Sequence, residues 1–196
     1  MVKAIRQVLL HKPQARILAC APSNSAADLI ASRLRAGLSP QELFRLYALS
    51  RYKNQVPDEL LPYTYTDRNG HFSVPSPARI RMTHFHVIVT TCISASIAHG
   101  IGLPRGVFIH IFMDEAGQAT ELEAFISIKT MADTRMTIVL SGDPQQFGPV
   151  IRSGIAMELG LEKSYLERLM DRDAYNLKTG YGKRWIGLLP FIKQIF

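Results

Sequence analysis

Apolar residues in this chain come in short dense runs, each closed by a proline, a glycine or a pair of polar residues and most followed by a stretch with helical spacing. RILACAP predicts a buried strand over 17–20 that stops at Pro22. SNSAADLIASRLRAG follows with Leu29, Ile30 and Leu34 on one helical face, Ser23 or Asn24 placed to cap it and Gly37 to end it. The same grammar recurs. HVIVTT, a strand over 87–90, leads into the helix of CISASIAHG; VFIHIFMD, a strand over 109–113, leads into a helix through ELEAFISI; MTIVLSGD supplies a strand over 137–140. Ahead of the first strand, Ile5, Val8 and Leu9 predict a helix over 2–11 that Pro13 closes. Apolar strands alternating with helices predict an α/β fold whose parallel sheet is covered on both faces, and ligand sites in such folds lie at the carboxyl ends of the strands.

Two stretches break the rhythm. Residues 48–81, rich in Tyr, Pro, Arg and Asp, show no clear period and read as an insertion or long surface excursion. After Pro149 the pattern weakens: SYLERLMDRD predicts one helix beginning near Ser164, and residues 174–196 form a divergent tail that continues no α/β rhythm.

Composition narrows the class. A chain of 196 residues with 47% hydrophobic residues has enough core for one domain, and 20% charged residues without a low-complexity tract argue against disorder. The formal net charge of +7 favours a polyanionic partner such as nucleic acid. Cys20 and Cys92 stand far apart inside apolar segments, which suits reduced core thiols better than a zinc site or a disulfide framework. No segment reaches the roughly 18 apolar residues of a membrane-spanning helix. A soluble, intracellular protein with no membrane partner is the expectation.

Candidate chemistry gathers at the strand ends. Asp114 and Glu115 directly follow an apolar strand, where a charge costs free energy unless a metal, a partner or the open end of a sheet takes it up. The plain alternative is a pair of surface acids capping the next helix. The following strand ends in SGDPQQFGPV, with Gly142 and Pro144 shaping a turn and Gln146 projecting an amide that can sense a phosphate oxygen or an attacking water without carrying charge. An ordinary Asp-Pro turn is the alternative there.

DEAGQATELE and GDPQQFGPV together resemble motifs II and III of superfamily 1 helicases of the up-frameshift type, with the wording closest to the Armitage-like RNA helicases of RNA silencing. CAPSNSAAD resembles their motif Ia, and VIVTTCISA a later strand-end loop that also touches nucleic acid. The four matches fall in the family's order over 16–152. The resemblance implies a RecA-like P-loop NTPase domain using ATP and Mg2+. Asp114 would hold the metal, Glu115 would act as the catalytic base, Gln146 would contact the γ-phosphate, and Gln118 would face the nucleotide. Pro22, Ser23, Asn24, Thr90 and Thr91 would lie along the backbone of single-stranded RNA, DNA remaining open, since short polar side chains bind phosphate and sugar without reading bases. The resemblance also implies the cytoplasm, ribonucleoprotein granules included.

A P-loop enzyme needs a glycine-rich loop ending in Lys and Ser/Thr, and no G-x-x-x-x-G-K-[ST] occurs in these residues. Residues 1–173 therefore read as a partial RecA-like domain, incomplete at both ends, without the phosphate loop, the strand before it or the second RecA-like domain. Three expectations follow: no tight nucleotide binding, no turnover by this chain alone, and an unfilled slot in the sheet. The alternative is a non-catalytic product that binds RNA or a partner. A metal-dependent nuclease built on Asp114 and Glu115 ranks last, because it needs further acids around the metal.

Overall fold

In the computed structural model, residues 1–67, 69–74, 78, 85–143 and 148–175 are described. Helix α1 (Val2–His11) precedes strand β1 (Ile17–Ala21), and α2 (Asn24–Leu34) leads into a short strand β2 (Leu43–Arg45). Beyond two 3-10 turns at Lys53–Gln55 and Asp58–Tyr63 come β3 (Val87–Thr91), α3 (Ala95–Gly100), β4 (His110–Met113), α4 (Glu121–Met131) and β5 (Thr137–Leu140). Short helices α5 (Gly154–Glu158) and α6 (Tyr165–Met170) follow.

The five strands form one sheet in the order β2-β3-β1-β4-β5. Every pairing is parallel, with Cys20 level with both Thr90 and Met113. All four strands expected from the sequence are present, with ends shifted by at most one residue. β1 lies at the centre and is buried along its whole length, as a strand covered on both faces must be. Its alternate residues feed two cores. Ile17, Ala19 and Ala21 meet Ile5, Ala27, Ile30 and Leu34 from α1 and α2, whereas Leu18 and Cys20 share the other core with Ala95, Ala124 and Met131 from α3 and α4. Both cysteines are buried free thiols, as their apolar settings imply.

Three features depart from the sequence reading. β2 is an additional edge strand, three residues long and therefore too short to show a period. The described part of 48–81 is no loose excursion: Val56, Leu60 and Phe72 belong to the first core, and the Tyr47 and Phe72 rings lie 4.8 Å apart. Among the described residues the sheet holds no internal slot. Its five strands are contiguous, and the exposed apolar surface lies instead on β5, where Ile138 is 38% exposed. Residues 176–196, the greater part of the expected tail, lie outside the described residues.

Candidate functional site

Parallel register brings the ends of all five strands to one edge, and hydrogen bonds tie neighbouring ends together. The Asp114 N–H donates to the Cys20 carbonyl at 2.9 Å, and the Ser141 N–H to the Met113 carbonyl at 2.8 Å. The Ser141 hydroxyl then donates to Asp114 Oδ1 at 2.9 Å, and the Ala116 N–H to the Ser141 carbonyl at 2.8 Å. The loops after β4 and β5 thus form one unit. Gly142 permits this closeness, because a Cβ there would stand 2.9 Å from the Gly117 nitrogen and 3.0 Å from that of Ala116.

Glu115 sits half-buried at a φ of 52°, in the left-handed region that a glutamate enters only at a cost. Its carbonyl accepts from the Gln118 N–H at 2.9 Å, and its Oε2 accepts from Gln118 Nε2 at 3.3 Å. Exposed Gln118 therefore steers the Glu115 carboxylate. Helix α4 begins only at Glu121, where Thr120 and Glu123 form a complete capping box. That disposes of the helix-cap explanation for Asp114 and Glu115: the helix is capped without them.

Donor chemistry at Asp114 fits magnesium. A half-buried carboxylate has one oxygen held by Ser141 and the other without a protein partner among the described residues. A hydroxyl oxygen stands beside it, and hard cations take oxygen ligands of this kind. Among the described residues no cluster of three or more His, Cys, Asp or Glu could hold a metal, so the ion's remaining ligands would have to come from water and phosphate. The described residues likewise place no such cluster of further acids, which a nuclease centre would need, beside Asp114 and Glu115. Gln146, expected beside the γ-phosphate, lies outside the described residues.

The strand-end loop after β1 presents half-buried Pro22 and exposed Ser23 and Asn24. Ser23 caps α2 by accepting from the Ala26 N–H at 3.1 Å. On neighbouring β3, half-exposed Thr91 accepts from the Ser94 N–H at 3.3 Å. Thr90 does not join them, and its expected contact with the nucleic-acid backbone is corrected. Successive strand residues face opposite sides of a sheet, and Thr90 points inward with 0% exposure and no partner for its hydroxyl.

One polar cluster went unforeseen. Arg45 at the end of β2, its side chain wholly buried, donates through Nε to Asp28 Oδ1 at 2.8 Å. The Tyr47 hydroxyl donates to the same oxygen at 2.8 Å, and Arg51 Nη2 donates to Oδ2 at 3.2 Å. The Arg45 and Arg51 guanidiniums approach the Tyr47 ring at 4.0 and 4.9 Å. Burial raises the pKa of the Tyr47 phenol, which keeps it a donor. The legible signal was Asp28, a charge one position from the apolar Ala27, Ile30, Ala31 and Leu34 stripe of α2.

Comparison with known proteins agrees with the resemblance to helicases. The model of an AAA domain matches residues 77–154. Human RNA helicase Mov10l1 is 44% identical over 177 residues, 89% of this chain and 14% of that protein. "Probable RNA helicase armi" of Drosophila melanogaster is 32% identical over 89% of this chain and 16% of its own length. The chain thus spans between 14% and 16% of the length of these two curated relatives. A solved arterivirus nonstructural protein 10 (helicase) with DNA superposes on 76% of this chain and 26% of its own at 17% identity and a TM-score of 0.40, too partial a match to set residues in correspondence.

Proposed function

As a homologue of the Armitage-like superfamily 1 helicases, this chain carries, we propose, the metal- and water-handling edge of an ATP-dependent RNA motor together with part of the track for a single nucleic-acid strand. Residues 1–173 are the motor segment and 174–196 a divergent tail. Its partners are single-stranded RNA, with DNA as a competitor, and a second RecA-like domain. Its setting is the cytoplasm.

One observation carries the reading: Asp114 and Glu115 stand side by side at the carboxyl edge of the sheet, unspent on helix capping, with Asp114 fixed by Ser141. Asp114 would hold Mg2+ together with the Ser141 hydroxyl. When bound with ATP, the ion neutralises charge on the phosphates during phosphoryl transfer. Glu115, turned by its backbone and held by Gln118, would take the proton of the attacking water. Gln146 would sense the γ-phosphate from the neighbouring loop. Pro22, Ser23, Asn24 and Thr91 would follow the strand's backbone, the loops after β1 and β3 being tied together by the Cys92 N–H, which donates to the Ala21 carbonyl at 2.9 Å.

The test uses a polypeptide joining this segment to a phosphate loop and a second motor domain. Glu115→Gln should leave ATP and RNA binding intact and lower hydrolysis by roughly 10²–10⁴-fold, the usual worth of general-base assistance. Asp114→Asn should instead weaken magnesium-dependent nucleotide binding. Equal loss of binding in both variants would refute this division of labour. The second reading, a non-catalytic RNA-binding product, is favoured by the +7 charge and by the lack of a phosphate-loop motif in these residues. Calorimetry on the 196-residue chain, with and without ATP, is expected to show no binding at micromolar concentration.

A further inference from the structure

We infer that Arg45 is a positioning residue for the strand-binding edge: it fixes the amide of Asn24 so that its NH2 group faces outward as a donor to a phosphodiester oxygen. The inference rests on the reading that the loop after β1 lies along a nucleic-acid strand, and it adds the element that decides what this loop presents.

The wiring begins at a guanidinium with no freedom left. Arg45 Nε is held by Asp28 Oδ1 at 2.8 Å, and Nη1 by the Leu46 carbonyl at 2.7 Å and, more weakly, the Val89 carbonyl at 3.5 Å. Its side chain is fully buried. The third nitrogen, Nη2, which also lies 2.8 Å from Asp28 Oδ1, reaches Asn24 at 3.1 Å. A guanidinium carries donors only, so the Asn24 atom that meets it has to be Oδ1. The amide's polarity is thereby settled by a buried group some twenty residues away in sequence. Asn24 Nδ2, with two hydrogens, then points away from Arg45, and no protein acceptor takes it among the described residues.

Asn24 is exposed and adjoins Ser23, whose hydroxyl is already engaged with the Ala26 N–H. Without Arg45 the amide could present either its oxygen or its nitrogen, and the oxygen would repel a phosphate. Asp28 makes the arrangement tolerable, because its carboxylate balances a cation that would otherwise be buried alone. A serine or glycine at position 24 could follow a strand, but neither could be given a direction in this way.

The test measures anisotropy of a labelled single-stranded oligouridylate with the 196-residue chain, alongside thermal melting. Asn24→Asp keeps an oxygen for Arg45 but turns the outward donor into an anionic acceptor. It should leave melting unchanged or raised and weaken binding about tenfold or more, the worth of a hydrogen bond to a charged group. Arg45→Lys keeps the buried charge but cannot serve Asp28, a carbonyl and Asn24 together. In that background Asn24→Ala should cost little further affinity, whereas in the native chain it should cost about tenfold. Additive losses, or full affinity in Asn24→Asp, overturn the inference. If Arg45→Lys does not fold, Asn24→Asp decides alone. Ser25→Glu tests the underlying track: if this exposed charge leaves binding untouched, or the native chain binds no oligouridylate, both readings fall; if it weakens binding and Asn24→Asp does not, only this inference falls.

Discussion

Gly142→Ala tests whether the loops after β4 and β5 act as one unit. The added methyl would meet backbone nitrogens at 2.9 and 3.0 Å, and neither can swing aside as a flexible side chain would. Two responses are open. If the loops hold, the overlap is absorbed as strain, which in packed interiors costs about 1–3 kcal/mol. If they part, the 2.8 Å bond from the Ala116 N–H to the Ser141 carbonyl breaks and leaves a buried donor unpaired, at a cost of about 1–3 kcal/mol. Either path gives about 2 kcal/mol, a large part of the ~5–15 kcal/mol that holds a domain folded. Ser141→Ala is the control, removing the hydroxyl bond to half-buried Asp114 without displacing backbone, at about 1 kcal/mol. Urea unfolding of the two variants should therefore order them Gly142→Ala below Ser141→Ala, with unchanged denaturant slopes. A Gly142→Ala chain as stable as Ser141→Ala would show that the two loops do not depend on their close approach.

Three further outcomes are expected. Asp28→Ala strands the buried Arg45 guanidinium and the Tyr47 hydroxyl, and should cost about 3–5 kcal/mol in urea unfolding, with Asp28→Asn costing less because it retains an oxygen acceptor; a loss under about 1 kcal/mol would mean that the cluster is not structural. Thr90→Val replaces a buried hydroxyl that has no partner with a methyl of the same shape, so melting should hold or rise while oligouridylate binding stays unchanged; weaker binding would restore Thr90 to the strand track. Burial pushes the Cys92 thiol up to about 12 and raises Cys20 well above its ordinary value, so neither should react with a thiol-specific reagent at pH 8 until the chain is unfolded; rapid labelling of the native chain would contradict the packing.

The parts of this fold that the sequence made legible are those whose physics is local. β1, β3, β4 and β5 are each four or five residues long, mostly apolar or small, between clear stops, and helices α1 and α2 show their spacing, and α2 its cap, within a dozen residues. Where stability depends on distant partners, the one-dimensional signal is silent. β2 is three residues pairing only with β3, whose Val87 stands 44 positions beyond its partner Leu43, and nothing within its own window distinguishes it from a loop. Arg45 reads as a surface charge until Asp28 and Tyr47 close around it. Thr90 and Thr91 read as one polar pair at the strand end, but strand alternation sends the two neighbours to opposite faces of the sheet.

The candidate site was legible for a different reason: the sequence sets two acids at the mouth of an apolar strand, and the structure adds strain at the second of them. A glutamate at a φ of 52° occupies a conformation that glycine or asparagine would adopt at lower cost. Neither of those residues could offer a carboxylate. Asp114 stands next to it at the mouth of an apolar strand, where a neutral residue would have been easier to place, while Thr120 and Glu123 already meet the needs of the following helix. When each local choice elsewhere agrees with the fold, departures concentrated in one loop make that loop the candidate for side-chain chemistry. Gly142 belongs to the same pattern from the opposite side, because the absence of its side chain lets the neighbouring loop approach and deliver the Ser141 hydroxyl to Asp114. The strain at Glu115 and the closeness at Gly142 are thus two aspects of one arrangement, which holds a pair of acids at the sheet edge with different partners: Ser141 for the first and Gln118 for the second.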